Sequence, residues 1–177
     1  MKKIFALFLS ILILTACSQK YEPKDTIANF VRYENTEKGV AMQYPTEWMK
    51  DESAPGTLIS FMSPLEGDND QFQENVSIAV QKLDKKYDLE EFVDISVSEI
   101  EKLYPDMNME KSNTELDGNE AFKVVYDFKQ FNFHFKSMQV YSIVNNSIYI
   151  VTFVSEYDNY DKYINTVNKM VGTMEIF

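Results

Sequence analysis

The sequence predicts an α+β domain, a central antiparallel β-sheet with helices on both of its faces. Three observations carry that expectation. Short runs of strand-forming residues alternate with turn residues through most of the chain. Two segments switch to the three-and-four spacing of amphipathic helices. One late strand, Ser147–Ser155, is apolar on both alternating faces, with Ile148, Ile150 and Val154 on one and Tyr149, Val151 and Phe153 on the other. Such a strand suits the middle of a sheet that is covered on each side.

The elements follow in order. Asn29–Tyr33 and Val40–Tyr44 flank the turn-rich stretch Asn35–Gly39 and read as a hairpin, and Pro45 stops the second strand because it cannot donate to a ladder. Thr57–Met62 is a third strand ended by Pro64, and Asn75–Leu83 a fourth after a polar loop. Asp88-Leu89-Glu90-Glu91 opens a helix with an acidic cap; Leu89, Phe92, Val93, Ser96, Ile100, Leu103 and Tyr104 then recur at helical spacing, and the helix should end before Pro105. A meander of four strands follows: Met107–Leu116, Glu120–Lys129, Phe133–Val144 and Ser147–Ser155. Asp117-Gly118 and Asn145-Asn146 are its hairpin signals. A second helix is expected from about Tyr157 to Gly172, with Ser155 and Asp158 favouring its start and Gly172 its end.

The N-terminus carries an address. Met1-Lys2-Lys3 is a positive n-region, Ile4–Leu14 is an apolar run of eleven residues, and Thr15-Ala16-Cys17 follows. The run is too short for a membrane-spanning helix, which needs about 20 residues, and the layout is that of a secretory signal. Leu14-Thr15-Ala16-Cys17 resembles the bacterial lipobox, which implies a diacylglyceryl group on the Cys17 sulfur and cleavage just before it. Residues 1–16 are then the signal and 17–28 a lipidated, polar tether. Fully extended, the tether reaches about 35–40 Å at 3.3–3.6 Å per residue. The expected location is the outer face of the cell membrane or the outer membrane, since Ser18 is not the Asp that marks inner-membrane retention.

Cys17 is the single cysteine, so the lipid leaves the domain with no thiol for a disulfide, a metal or a nucleophile. Removal of the signal leaves 161 residues with a net charge near −13. An acidic body lacks the basic footprint that nucleic acid requires, and it does not favour lying flat on anionic lipid.

The domain itself resembles the PsbP family. Gly39–Trp48 holds a strand ending in Tyr44-Pro45, two residues, then Trp48; Phe61-Met62-Ser63-Pro64 and Asn75-Val76-Ser77-Ile78 match the family's following strands. The resemblance covers residues 29–177. It implies an α-β-α sandwich shared with extrinsic photosystem II subunits and a Ran-binding import factor, and a binding or assembly role. A non-catalytic lipoprotein that binds or stabilises a membrane-associated protein partner is therefore the expectation, with the bilayer engaged through acylated Cys17. The alternative is a small-molecule or Ca²⁺-binding lipoprotein serving a transporter or sensor.

No residue set spells out a reaction, and no cofactor is expected. Trp48 reads as a core plug at a strand end. His134, the single histidine, has the strand parity of Met138 and Val140. It could be half of a metal site with a carboxylate of a neighbouring strand, but without a second His or a Cys a transition-metal site would be weak, and a structural or partly exposed histidine is the expectation. A Ser-His-Asp set would need this His, and no G-x-S-x-G elbow exists. Glu66, Asp68 and Asp70 gather carboxylates in one loop as Ca²⁺ candidates, though the spacing departs from the EF-hand pattern and a solvated loop explains them. Tyr157, in an aromatic-acidic cluster at a helix start, is the candidate partner contact.

Overall fold

The computed structural model describes residues 23–177; the lipobox and Cys17 lie outside the described residues. Its elements are β1 (Phe30–Asn35), β2 (Val40–Pro45), β3 (Met49–Asp51), β4 (Ile59–Met62), β5 (Asn75–Lys82), α1 (Leu89–Leu103), β6 (Met109–Leu116), β7 (Asn119–Gln130), β8 (Phe133–Val144), β9 (Ser147–Glu156), α2 (Tyr160–Gly172) and β10 (Glu175–Ile176). Seven strands form one sheet in the order β3-β4-β5-β9-β8-β7-β6, and β1, β2 and β10 form a second. All the pairings are antiparallel.

Local chemistry accounts for most of this. Asp117 and Gly118 both have positive φ (50° and 71°), as do Asn145 and Asn146 (50° and 61°). That is what a two-residue hairpin matching the strand twist requires. Asp88 caps α1, its carboxylate accepting from the amides of Glu90 (2.9 Å) and Glu91 (3.2 Å). The helix stops at Leu103, before Pro105. β9 lies between β5 and β8, as its double apolar alternation predicts. Its Tyr149, Val151 and Phe153 pack in a cluster with Val167 and Met170 of α2 and Met42 of β2. Its Ile148 joins Val93 and Val97 of α1 in another.

Three things differ from the sequence reading. The β1–β2 hairpin forms, but outside the main sheet. It belongs to the second sheet because β10 returns from the chain's far end to pair with Val40 and Ala41. Gly39 permits the return: its φ is +62°, and a Cβ there would meet the Phe177 carbonyl oxygen at 2.1 Å. Second, α2 begins at Tyr160, because β9 runs to Glu156 and one 3₁₀ turn takes Tyr157–Asn159. Neither Ser155 nor Asp158 caps it; Asn159 precedes it without a side-chain cap bond, and Ser155 is buried in β9. Third, β3 and β10 are too short for periodicity to reveal.

The expected tether is also divided. Lys24 donates its amide to Glu175 Oε1 (2.9 Å), and its ammonium reaches the Met174 carbonyl (2.5 Å) and Asp117 Oδ1 (3.0 Å). Buried Gln43 accepts from the Ile27 amide (2.8 Å) and donates to the Asp25 carbonyl (2.8 Å). Glu175, buried itself, also holds the Arg32 guanidinium through two bonds of 2.6 and 3.0 Å. Residues 24–27 are thus fastened to the domain beside the Asp117–Gly118 hairpin.

Candidate functional site

The strongest concentration of unusual side chains lies at the end of the sheet where β7 ends, β8 begins and β9 ends. Strand parity sorts it into two faces. On one, the apolar positions Val125 and Met138 give way to Asp127, Lys136 and His134 at the strand ends, in the register Val125↔Met138 and Asp127↔Lys136. His134 Nε2 lies 2.8 Å from Asp127 Oδ2, and Asn108 Nδ2 donates to Asp127 Oδ1 at 2.9 Å. Tyr157 stacks on the imidazole, with centroids 4.1 Å apart and planes 8° from parallel.

Burial pushes the Asp127 carboxyl up, but the hydrogen bonds from His134 and Asn108 outweigh it and hold the group below the usual carboxylate range. A carboxyl depressed in the folded state adds stability above its unfolded pKa and loses it as pH falls through the folded value. Acidification is therefore expected to loosen the 104–108 segment that Asn108 ties down, and Asp127→Asn to flatten that acid limb. Amide exchange of Met107 and Asn108 against pH measures it; an unchanged acid profile in Asp127→Asn contradicts the assignment.

The other face is an aromatic ladder. Tyr104 packs on Phe128 (4.6 Å between centroids), Phe128 on Phe135 (5.4 Å), and Phe135 on Phe72 (4.8 Å) and Phe133 (5.6 Å). A cleft of about 430 Å³ runs beside β7 between the faces, lined by Leu103, Tyr104, Met107, Asp127, Phe128 and His134 among others.

The tip of the β7–β8 hairpin stands out from both faces. Phe131 is 93% exposed and has φ 55°. A bulky residue in the left-handed region is a genuine outlier, and such strain clusters at functional sites. Leu103 and Tyr157 are exposed as well.

The structure brings His134 and Tyr157 together and places Asp127 and Asn108 beside them, with Phe131 at the tip of the same β7–β8 hairpin; the sequence reading singled out none of these three. The neighbouring-strand carboxylate nearest His134 is Asp127, and it is hydrogen-bonded to the ring. Glu66 and Asp70 have other partners. Glu66 accepts from the Tyr163 hydroxyl (2.6 Å) and pairs with Lys162, while Asp70 accepts from the amides of Glu66 (2.7 Å) and Phe72 (3.1 Å). With Asp68 exposed, the three are not assembled as ligands. Among the described residues no group of three or more His, Cys, Asp and Glu is placed to hold a metal ion. Trp48 is buried in the core against Tyr163.

Comparison with known proteins covers both ends of the chain. The family described as PsbP matches residues 28–176, and a prokaryotic membrane lipoprotein lipid attachment site matches residues 1–18. No curated protein matches in sequence. Among solved structures, the cyanobacterial PsbP (CyanoP) of Synechocystis sp. PCC 6803 is similar at TM-score 0.61 and 16% identity, covering 93% of this chain and 99% of its own. LpqN of Mycobacterium tuberculosis, involved in cell envelope biogenesis, is similar at TM-score 0.63 and 12% identity, with 77% and 82% covered. The Ran-binding protein Mog1p of Saccharomyces cerevisiae is similar at TM-score 0.58 and 11% identity, with 84% and 95% covered. At these identities the likeness shows the fold alone.

Proposed function

The chain belongs to the PsbP family, and from that premise we propose that it is a non-catalytic lipoprotein whose domain binds or stabilises a membrane-associated protein partner. It is a membrane-anchored lipoprotein, given the attachment site at residues 1–18. Among the described residues no helix is long and apolar enough to cross a membrane. Acylated Cys17 holds it on the outer face of the cell membrane or the outer membrane. The two core clusters, drawing on alternate residues of β9, support the layering of helices on both faces.

The observation that carries the reading is Phe131. An aromatic ring held in the left-handed region costs stability through strain, and, left almost wholly in water, it gains nothing from burial within the domain to offset that. Aromatic anchors that insert into a partner's pocket dominate interface energetics. Phe131→Ser should therefore leave the melting temperature unchanged or slightly raised while abolishing recovery of the partner after crosslinking in the native membrane. Undiminished recovery with Phe131→Ser would overturn the assignment of this tip.

The cleft beside Asp127 supports a second reading, a small-ligand lipoprotein, since its volume falls within the roughly 300–1,000 Å³ of such sites. A ligand retained in native mass spectrometry, and lost with Phe128→Ala but kept with Phe131→Ser, would favour it.

A further inference from the structure

The fastened segment Lys24–Ile27 also decides which end of the domain faces the bilayer. Lys24 contacts Asp117 at the start of β7, and Phe131 stands at the far end of that strand. The 12 residues of β7 span about 36–40 Å at 3.3 Å each. From Cys17 to Lys24 a chain can reach at most about 23–25 Å, at 3.3–3.6 Å per residue. The leash is shorter than the strand. It cannot fold back along the domain and bring the Phe131 end down pole-first onto the membrane that holds Cys17.

We propose that the Lys24–Glu175 fastening presents the Phe131 pole away from the bilayer, where it docks into an apolar pocket rimmed by basic residues on another protein. This deepens the partner-binding reading and rests on it. The apolar part of the match is the exposed ring. The basic rim follows from charge: Glu156 and the exposed Asp158 line one surface depression with Asn132 and Phe133 at the base of the Phe131 hairpin. These carboxylates disfavour both an anionic bilayer and a second copy of an acidic chain as the occupant.

The test uses the full lipidated chain in vesicles of phosphatidylethanolamine and phosphatidylglycerol, with Cys17 occupied by its lipid. A donor fluorophore is placed at Asn132→Cys or at Glu115→Cys, both exposed, and an acceptor on the lipid headgroups. Transfer from position 115 should exceed that from 132 several-fold; equal or greater transfer from 132 overturns the orientation. Lys24→Pro, which removes both the amide that Glu175 accepts and the ammonium held by Met174 and Asp117, should narrow the difference, and an unchanged difference overturns the fastening as its cause. For the rim, Asp158→Lys should cut crosslinked partner recovery several-fold, and undiminished recovery overturns it. A distal position 132 with no partner recovered would sink the partner reading alone. A membrane-bound position 132 with partner recovered would sink the orientation alone.

Discussion

Glu175→Ala is expected to lower the unfolding free energy by about 3–5 kcal/mol, the range for breaking a buried ion pair from one side. The size follows from what is left behind. Glu175 is 2% exposed and accepts from the Arg32 guanidinium twice and from the Lys24 amide once. Alanine removes both carboxylate oxygens, so Arg32, one-fifth exposed, loses its buried partner and keeps the exposed Glu34 at 3.0 Å. Glu175→Gln keeps the shape and one acceptor and should cost less. The loss should be local as well as global, because the same carboxylate fastens residue 24 and sits in the strand that completes the second sheet. Denaturant unfolding measures the first effect, and proteolysis ahead of Ile27 the second. A change below about 1 kcal/mol, the worth of an exposed pair, would mean that Glu175 is not the fastening point.

Cys17→Ser should move the protein from the membrane fraction to a soluble or uncleaved form, with no lipid label incorporated. Each buried methylene contributes about 0.8 kcal/mol, and stable anchoring takes two acyl chains or an equivalent second signal. An acidic domain offers no polybasic patch to replace them. Unchanged membrane retention in Cys17→Ser would mean that another contact holds the domain there.

Much of this architecture was legible because its causes are local. Asp117-Gly118 and Asn145-Asn146 announce their hairpins, Asp88 announces α1, and the double alternation of β9 announces its central place. The second sheet was not legible: β10 is two residues long, and its partner lies about 135 positions away. Period-two alternation in β1 and β2 says that they are strands, and says nothing about which sheet they join. Residues 24–27 read as linker because nothing in Lys24 or Gln43 reveals a bond to the chain's other end.

The candidate site divides in the same way. Tyr157 and His134 drew notice as an interfacial residue type and a lone titratable ring, and the fold stacks them. Asp127 is one of 28 acidic residues, and only the β7–β8 register sets it against His134. Phe131 escaped because phenylalanine is not a turn former. The two-residue spacing between Gln130 and Phe133 was the available signal, and the left-handed φ that makes Phe131 notable cannot be read from the residue type.

The central claim is that the anchored domain meets another protein with its Phe131 pole. The most direct measurement replaces Phe131 with a photo-crosslinking aromatic residue in the lipidated chain within its own membrane, and Ile95, exposed on α1, in a parallel control. One discrete protein adduct is expected from position 131 and none from position 95. Adducts to lipid alone from position 131, or the same adduct from both positions, would contradict that claim.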